Sequence, residues 1–237
     1  MKTKLLLSAL FGIAAWSLSS VAAADWDSGP CPNPPTGPAP CIETVINGNT
    51  YHFNGDGGHA GEWHGRPAAE GGGDFEFSGD NVALDCPDQS VSCTLSLTGQ
   101  VKKCEDSSGA WRIGVKVTGA DVSAGDFLCS FLNVSGFPWY AKDPTIASHC
   151  PFEDACDNFI PYDPSASTYT ANFGEVTVSS FLDTYVDAEH LHNVIFTPGV
   201  GANFDFQNST FFDCDENEGC SIDGVLTLNN GTSLDVK

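Results

Sequence analysis

The sequence predicts an all-β fold, a disulfide-reinforced β-sandwich or barrel-like sandwich, on three observations. Val91, Cys93, Leu95 and Leu97 alternate with Ser92, Thr94, Ser96 and Thr98, and Trp111, Ile113, Val115 and Val117 alternate with Arg112, Gly114, Lys116 and Thr118. A period of two describes a strand with one buried and one solvated face. No segment sustains a 3.6-residue apolar period for three turns, and short apolar runs recur between Gly-, Pro- and Asn-containing turns, as in sandwiches and barrels. Ten cysteines all lie beyond an export-type leader. An even cysteine count in an oxidising compartment reads as disulfides, and no C-x-x-C pair suggests zinc instead.

The elements follow in chain order. Residues 1–24 read as a signal peptide: Lys2 and Lys4 precede an apolar run from Leu5 to Trp16, and Ala22, Ala23 and Ala24 offer a small-residue cleavage site before Asp25. The apolar run falls short of the roughly 20 residues that span a bilayer. Cys31 lies past the cut without a lipoprotein context, so no lipid anchor and no transmembrane anchor is expected. The mature chain is then secreted, extracellular or periplasmic. Residues 25–41 form a Pro/Gly-rich arm, stapled by Cys31 and Cys41. Residues 42–237 form a single β domain, long enough to bury a core that disulfides reinforce rather than replace. In it, Ile42–Asn47 and Tyr51–Phe53 flank a hairpin turn at Gly48-Asn49. Residues 54–73 are a Gly-rich loop, and a strand restarts at Asp74, where Phe75 and Phe77 alternate with polar neighbours. Residues 141–170 hold four prolines with Cys150 and Cys156 and read as a long stapled loop. Strands resume at Phe173–Ser179, Leu191–Thr197, Ala202–Gln207 and Ile222–Leu228, with room for a short helix between Ser179 and His190. FEFSGDNVALDCPDQSVSC from Phe75 and FDFQNSTFFDCDENEGC from Phe204 echo one another, which suggests two similar hairpins, each with its own disulfide.

Cysteine spacings of 10, 7, 6 and 6 let Cys31/Cys41, Cys86/Cys93, Cys150/Cys156 and Cys214/Cys220 close local loops, leaving Cys104 with Cys129. Spacing alone leaves other connectivities open.

Charge excludes some partners. The chain has 9 Lys+Arg against 31 Asp+Glu, and loss of Lys2 and Lys4 makes the balance more acidic. Such a surface repels nucleic acid and anionic lipid and stays well solvated.

The Ser/Thr-rich order CTLSLTG, a VTGA strand, LCS and GFPW, all between Val91 and Tyr140, resembles the secreted bacterial activator of alkane oxidation (PraB-type) family. The resemblance covers residues 75 to 140 and, more loosely, the C-terminal strands. It implies an extracellular protein that promotes alkane use at the oil–water interface or within a surface or biofilm matrix, with a hydrocarbon surface or that matrix as partner. Cys93 and Cys129 carry part of the resemblance and are therefore a rival pair to Cys104 and Cys129. The N-terminal arm, the Gly/His loop and the Cys150/Cys156 insertion go beyond the simpler family pattern, and added loops are where binding specificity changes.

The residues themselves declare no reaction. G-x-S-x-G and H-E-x-x-H are absent, so the expectation is a protein that is not an enzyme and needs no cofactor, calcium aside. Asp213, Asp215 and Asn217 have the 1-3-5 oxygen spacing of a calcium loop, although Gly219 and Gly224 fall where an EF-hand has other residues. The plainer reading is a solvated acidic turn. His190 and His192 share one strand face, a spacing that suits a metal, and His52, His59 and His64 straddle the Gly-rich loop; hydrogen-bonded or solvated histidine is the alternative for both groups. Asn133, Asn208 and Asn230 head glycosylation-type triplets that carry no weight beside a bacterial-style leader. Phe137, Trp139 and Tyr140 form the candidate interface, an apolar surface bent by Pro138. The other reading of Trp139 is a cap over the end of the sandwich. Two further classes stay open: a calcium-assisted carbohydrate-binding or adhesion module, and a structural subunit that self-associates through edge strands.

Overall fold

A computed structural model describes residues 26–33, 36–53, 58–146 and 150–237. The expected signal peptide and its cleavage point lie outside these residues. In chain order the strands are β1 (Asp27–Ser28), β2 (Ile42–Ile46), β3 (Asn49–Phe53), β4 (Phe75–Cys86), β5 (Gln89–Glu105), β6 (Trp111–Gly125), β7 (Asn133–Ser135), β8 (Trp139–Lys142), β9 (Ile160–Pro161), β10 (Tyr169–Ser179), β11 (Thr184–Thr197), β12 (Gly199–Val200), β13 (Asn203–Asp205), β14 (Ser209–Phe212), β15 (Glu218–Asp223), β16 (Val225–Leu228) and β17 (Ser233–Val236).

The alternating runs around Leu95 and Val115 lie inside β5 and β6, which pair antiparallel from Cys93↔Gly125 to Glu105↔Trp111. Val91, Cys93 and Leu95 are buried while their neighbours are not, as a half-buried strand requires. Outward from this pair, β4 joins β5, and β8 joins β6 and β10. β10 then pairs with β11 from Tyr169↔Phe196 to Ser179↔Thr184. From β11 the path returns to β4 by two short routes, β13–β16 at one level and β14–β15 at the other. The large antiparallel sheet therefore closes on itself as a barrel-like sandwich, which removes long free edges. A smaller sheet ordered β1-β3-β2-β17-β12 packs beside it. One hydrophobic cluster runs through both, from Phe53 of the smaller sheet and Trp26 packed on it to Phe77, Phe196 and Phe204 of the larger. The Phe77 and Phe204 rings meet edge to face at 4.8 Å, the arrangement aromatic quadrupoles favour.

The β2–β3 turn is Asn47-Gly48, one residue earlier than expected, and both residues have positive φ (52° and 82°). Asn-Gly is the pair that a type I′ hairpin turn accepts with least strain. Between Ser179 and His190 the chain forms the β10–β11 turn and the start of β11, not a helix, because pairing with β10 satisfies its backbone. The 141–170 segment starts inside β8 and reaches β10, and its middle covers the outer face of β5. There Lys102 ion-pairs with Asp154, and its ammonium sits 4.6 Å from the Trp63 ring centroid. That cover buries Lys102, while Lys103 faces the opposite side and is buried toward the smaller sheet, its ammonium 5.5 Å from the Phe53 ring centroid.

Only the Cys31–Cys41 pair among the four local expectations forms. The others are Cys86–Cys220, Cys93–Cys129, Cys104–Cys156 and Cys150–Cys214. Strand register is the reason. Cys86 lies opposite Gln89 and Cys93 opposite Val82, several residues apart along the hairpin and beyond the roughly 4.4–6.8 Å Cα separation a disulfide needs. Cys214 lies in the turn of a hairpin in which Phe212 faces Glu218, so Cys220 points elsewhere. β5 separates Cys93 and Cys104 by eleven residues, about 36 Å of strand, so Cys129 reaches only Cys93. The loop cysteines Cys150 and Cys156 go to two different elements instead of to each other. The two echoing segments lie side by side, β4 against β15 and β16, and Cys86–Cys220 joins them where separate disulfides were expected.

The β5–β6 turn is organised by Asp106. Its carboxylate accepts hydrogen bonds from the Ser108 hydroxyl at 2.6 Å, the Ala110 amide at 2.9 Å and Arg112 Nε at 2.8 Å. These donors, the Ser108 hydroxyl foremost, hold its pKa well below the usual aspartate range.

Two outcomes follow. Non-reducing peptide mapping should link the Cys86 peptide to the Cys220 peptide, and removing both sulfurs should cost on the order of 4 kcal/mol by loop-closure entropy. A lowered carboxylate pKa contributes stability that is complete above the unfolded aspartate value of about 3.9 and is lost as pH falls toward the folded value. The deficit of Asp106→Asn in urea midpoint should therefore be largest near neutrality and shrink below about pH 4.

Candidate functional site

At the Cys93–Cys129 end of the barrel, two turns expose a cluster of large apolar side chains. β6 ends at Gly125, whose φ is +124°. A Cβ there would stand 2.2 Å from the Ser92 carbonyl oxygen and 3.1 Å from Cys129 Sγ, so the chain needs glycine to leave the strand at this point. Asp126 then accepts a 2.8 Å hydrogen bond from the Ser92 amide. A 3₁₀ turn, Phe127–Phe131, follows. It directs Cys129 inward to the disulfide and Phe127 and Phe131 outward, with relative exposures of 80% and 39%.

The second turn joins β10 to β11. The Ser180 hydroxyl accepts from the Leu182 and Asp183 amides, leaving Phe181 and Leu182 at the tip, 71% and 73% exposed. Pairing of β7 with β10 at Val134↔Val178 brings the two turns together. Phe131 lies 5.1 Å from Phe127 and 5.2 Å from Phe181, ring centre to ring centre. Single exposed apolar residues are ordinary, whereas a group of them in mutual contact is a candidate contact surface. Exposed Asp126 and Asp183 flank it.

Beneath the cluster the barrel interior is apolar. A cavity of about 130 Å³ lies among core side chains including Phe77, Val101, Trp139, Phe173 and Phe204. A dry apolar cavity of about 150 Å³ admits a molecule the size of benzene. Leu132, one residue after Phe131, lines this cavity and packs against the small cluster of Val91, Cys93 and Cys129. One segment thus presents phenyl rings to solvent and an aliphatic side chain to the interior.

The expected interface residues sit elsewhere. Trp139 is 6% exposed and belongs to the core; its indole donates to the Ser135 carbonyl at 3.1 Å, and Phe137 stacks on it at 4.4 Å. Pairing of Trp139 with Val117 directs the ring inward. Tyr140 is half-buried beside Trp63, 6.0 Å away. Trp139 is therefore a core side chain where an exposed contact or an end cap was expected, and the exposed apolar group lies instead on the turns at Phe127 and Phe181. Only the apolar pair between Ser180 and Asp183 could have signalled it.

In the acidic loop, Asp213 organises the turn. Both Asp213 carboxylate oxygens are engaged within the turn: one accepts from the Asp215 and Asn217 amides at 2.9 Å, the other from the Asn217 side-chain amide at 2.8 Å. These bonds, the Asn217 side chain foremost, lower the Asp213 pKa. Asn217 thus donates both its backbone and its side-chain amide to Asp213.

The histidine groups are better assembled. His190 and His192 lie beside Glu216, and His59 and His64 lie beside Glu62, with possible ligand atoms of each trio within 4.8 Å of one another. His52 is not part of either trio; its ring bonds the Gly29 carbonyl at 2.9 Å.

No known protein family matches the chain, and neither a curated protein nor a solved structure matches it. Five disulfides fit an oxidising compartment, and among the described residues no helix is long and apolar enough to cross a membrane.

Trp139→Ala should cost about 3–5 kcal/mol in folding stability, the range for a buried aromatic. Phe127→Ser and Phe181→Ser should each change the melting temperature little, because these rings are largely solvated.

Proposed function

We propose that this is a secreted, non-enzymatic protein that binds apolar surface and promotes hydrocarbon use, acting at the oil–water interface or in the extracellular matrix. The exposed group of Phe127, Phe131, Phe181 and Leu182 carries the reading. Each such side chain, once fully removed from water, contributes about 1.5–3 kcal/mol. Four on two turns, one stapled by Cys93–Cys129 and the other held by the Ser180 hydroxyl, therefore support reversible adsorption with a modest ordering cost. The formal charge of −22 favours an uncharged apolar phase over an anionic bilayer. The apolar interior below the cluster suits a hydrocarbon better than a sugar. The resemblance to the alkane-oxidation activator family supports the same substrate class.

The other classes find less support. The Asp213 turn spends its oxygens internally, which weakens a calcium-assisted carbohydrate module. The large sheet is closed, and the smaller one ends in the two-residue strands β1 and β12, poor templates for edge-to-edge assembly.

Interfacial tension at a hexadecane–water boundary tests the proposal. Purified, oxidised protein should lower it more than an equally acidic control. The triple variant Phe127→Ser/Phe181→Ser/Leu182→Ser should lose most of that drop while melting at nearly the wild-type temperature. A triple variant as surface-active as wild type would remove the assigned surface.

A further inference from the structure

We propose that His190, His192 and Glu216 form a binding site for a divalent transition metal of the zinc class, at a place distinct from the apolar turns. β11 alternates, so Leu191 enters the barrel core while His190 and His192 point to the outer face. That outer face is nonetheless covered: His190 has no exposed surface. Phe152 lies 5.6 Å from its ring, and Phe212 lies 4.4 Å from the ring of His192. The two imidazoles are themselves 4.6 Å apart.

Glu216 comes from the β14–β15 turn, which pairing of His190 with Phe212 places over the same spot. Its backbone φ is +65°, an uncommon conformation for a residue other than Gly, Asn or Asp. In that conformation its Oε1 is 3.9 Å from His190 Nε2. The internal hydrogen bonds of Asp213 fix this turn, and Cys150–Cys214 ties it to the segment bearing Phe152.

The donor set selects the ion. Two imidazole nitrogens and one carboxylate oxygen suit zinc, copper, nickel or iron(II), whereas calcium and magnesium prefer oxygen alone. Cys150 and Cys214 are joined and so are not thiolate ligands. With ligand bonds of about 2.0–2.2 Å, two donors on one ion stand no more than about 4.4 Å apart. The trio, spread over at most 4.8 Å, needs only a small closing movement. Glu216 can supply it, since its side chain is half exposed and on a turn. The same opening gives an ion a way in and leaves room for water as a further ligand. The aromatic cover over the imidazoles lowers the local dielectric and strengthens ion–ligand attraction.

The test is zinc titration by calorimetry on untagged, oxidised, chelator-treated full chain, with melting followed in parallel. Wild type should bind zinc at micromolar or tighter affinity, and its melting temperature should rise with zinc concentration. Glu216→Gln should weaken one binding event at least tenfold while leaving the zinc-free melting temperature unchanged. His192→Ala should do the same, and if it folds poorly Glu216→Gln decides alone. His59→Ala separates the other histidine trio and should leave the Glu216-dependent event intact. No zinc binding up to about 100 µM, or binding that Glu216→Gln does not alter, would overturn the proposal.

Discussion

The pairing of β10 with β11 closes the large sheet, and the placement of every candidate surface depends on it. Without that ladder, the path through β8 and the path through β13 and β14 would end in two open edges. With it, inward residues such as Phe173, Val176, Leu191 and Val194 face those of β4, β5 and β6 across one apolar interior. The same closure fixes the positions of both turns that carry exposed phenyl rings, because the Phe181 turn connects the two strands. It also sets His190 and His192 outward, since Leu191 between them must enter the core. The apolar and the polar site are thus two consequences of one strand pairing.

Disulfides act on this frame at long range. Four of the five join segments far apart in sequence, with separations from 36 to 134 residues. They tie the loops to the barrel: Cys93–Cys129 anchors the aromatic turn, Cys104–Cys156 holds the outer cover on β5, and Cys150–Cys214 locks the turn bearing Glu216. A strongly acidic chain repels itself when compact, and such cross-links restrict the unfolded state that this repulsion would favour. Rigid turns have a functional consequence as well. Apolar side chains held in place lose little conformational freedom when they meet a surface.

Much of the fold was legible in the sequence and much of the site was not, for physical reasons. The alternation through Cys93 and Val115 survives because those strands have one solvated face. β11 is legible only from Leu191 onward, because its first half carries mixed polar residues and a positive-φ residue at Ala188. Trp139 was visible as an aromatic, but its direction depends on pairing with Val117, which no local pattern encodes. Phe127 and Phe131 lie four apart on a single 3₁₀ turn, too short for a period. The histidine pair was legible from its spacing of two. Its carboxylate partner was not, since Glu216 is 24 residues away in sequence and arrives only through the β11–β14 ladder. Cys31–Cys41 follows the local rule, but the cysteines of the barrel do not, because register, not loop length, decides which of their sulfurs meet.

The barrel end bearing Phe127 and Phe181 is the proposed contact with an apolar phase. Hydrogen–deuterium exchange of the oxidised protein, free and adsorbed on hexadecane droplets, tests it most directly. Amide exchange at residues 126–132 and 180–184 should slow on adsorption, with the β2–β3 hairpin unchanged. Protection centred on the smaller sheet, or none at those two turns, would contradict it.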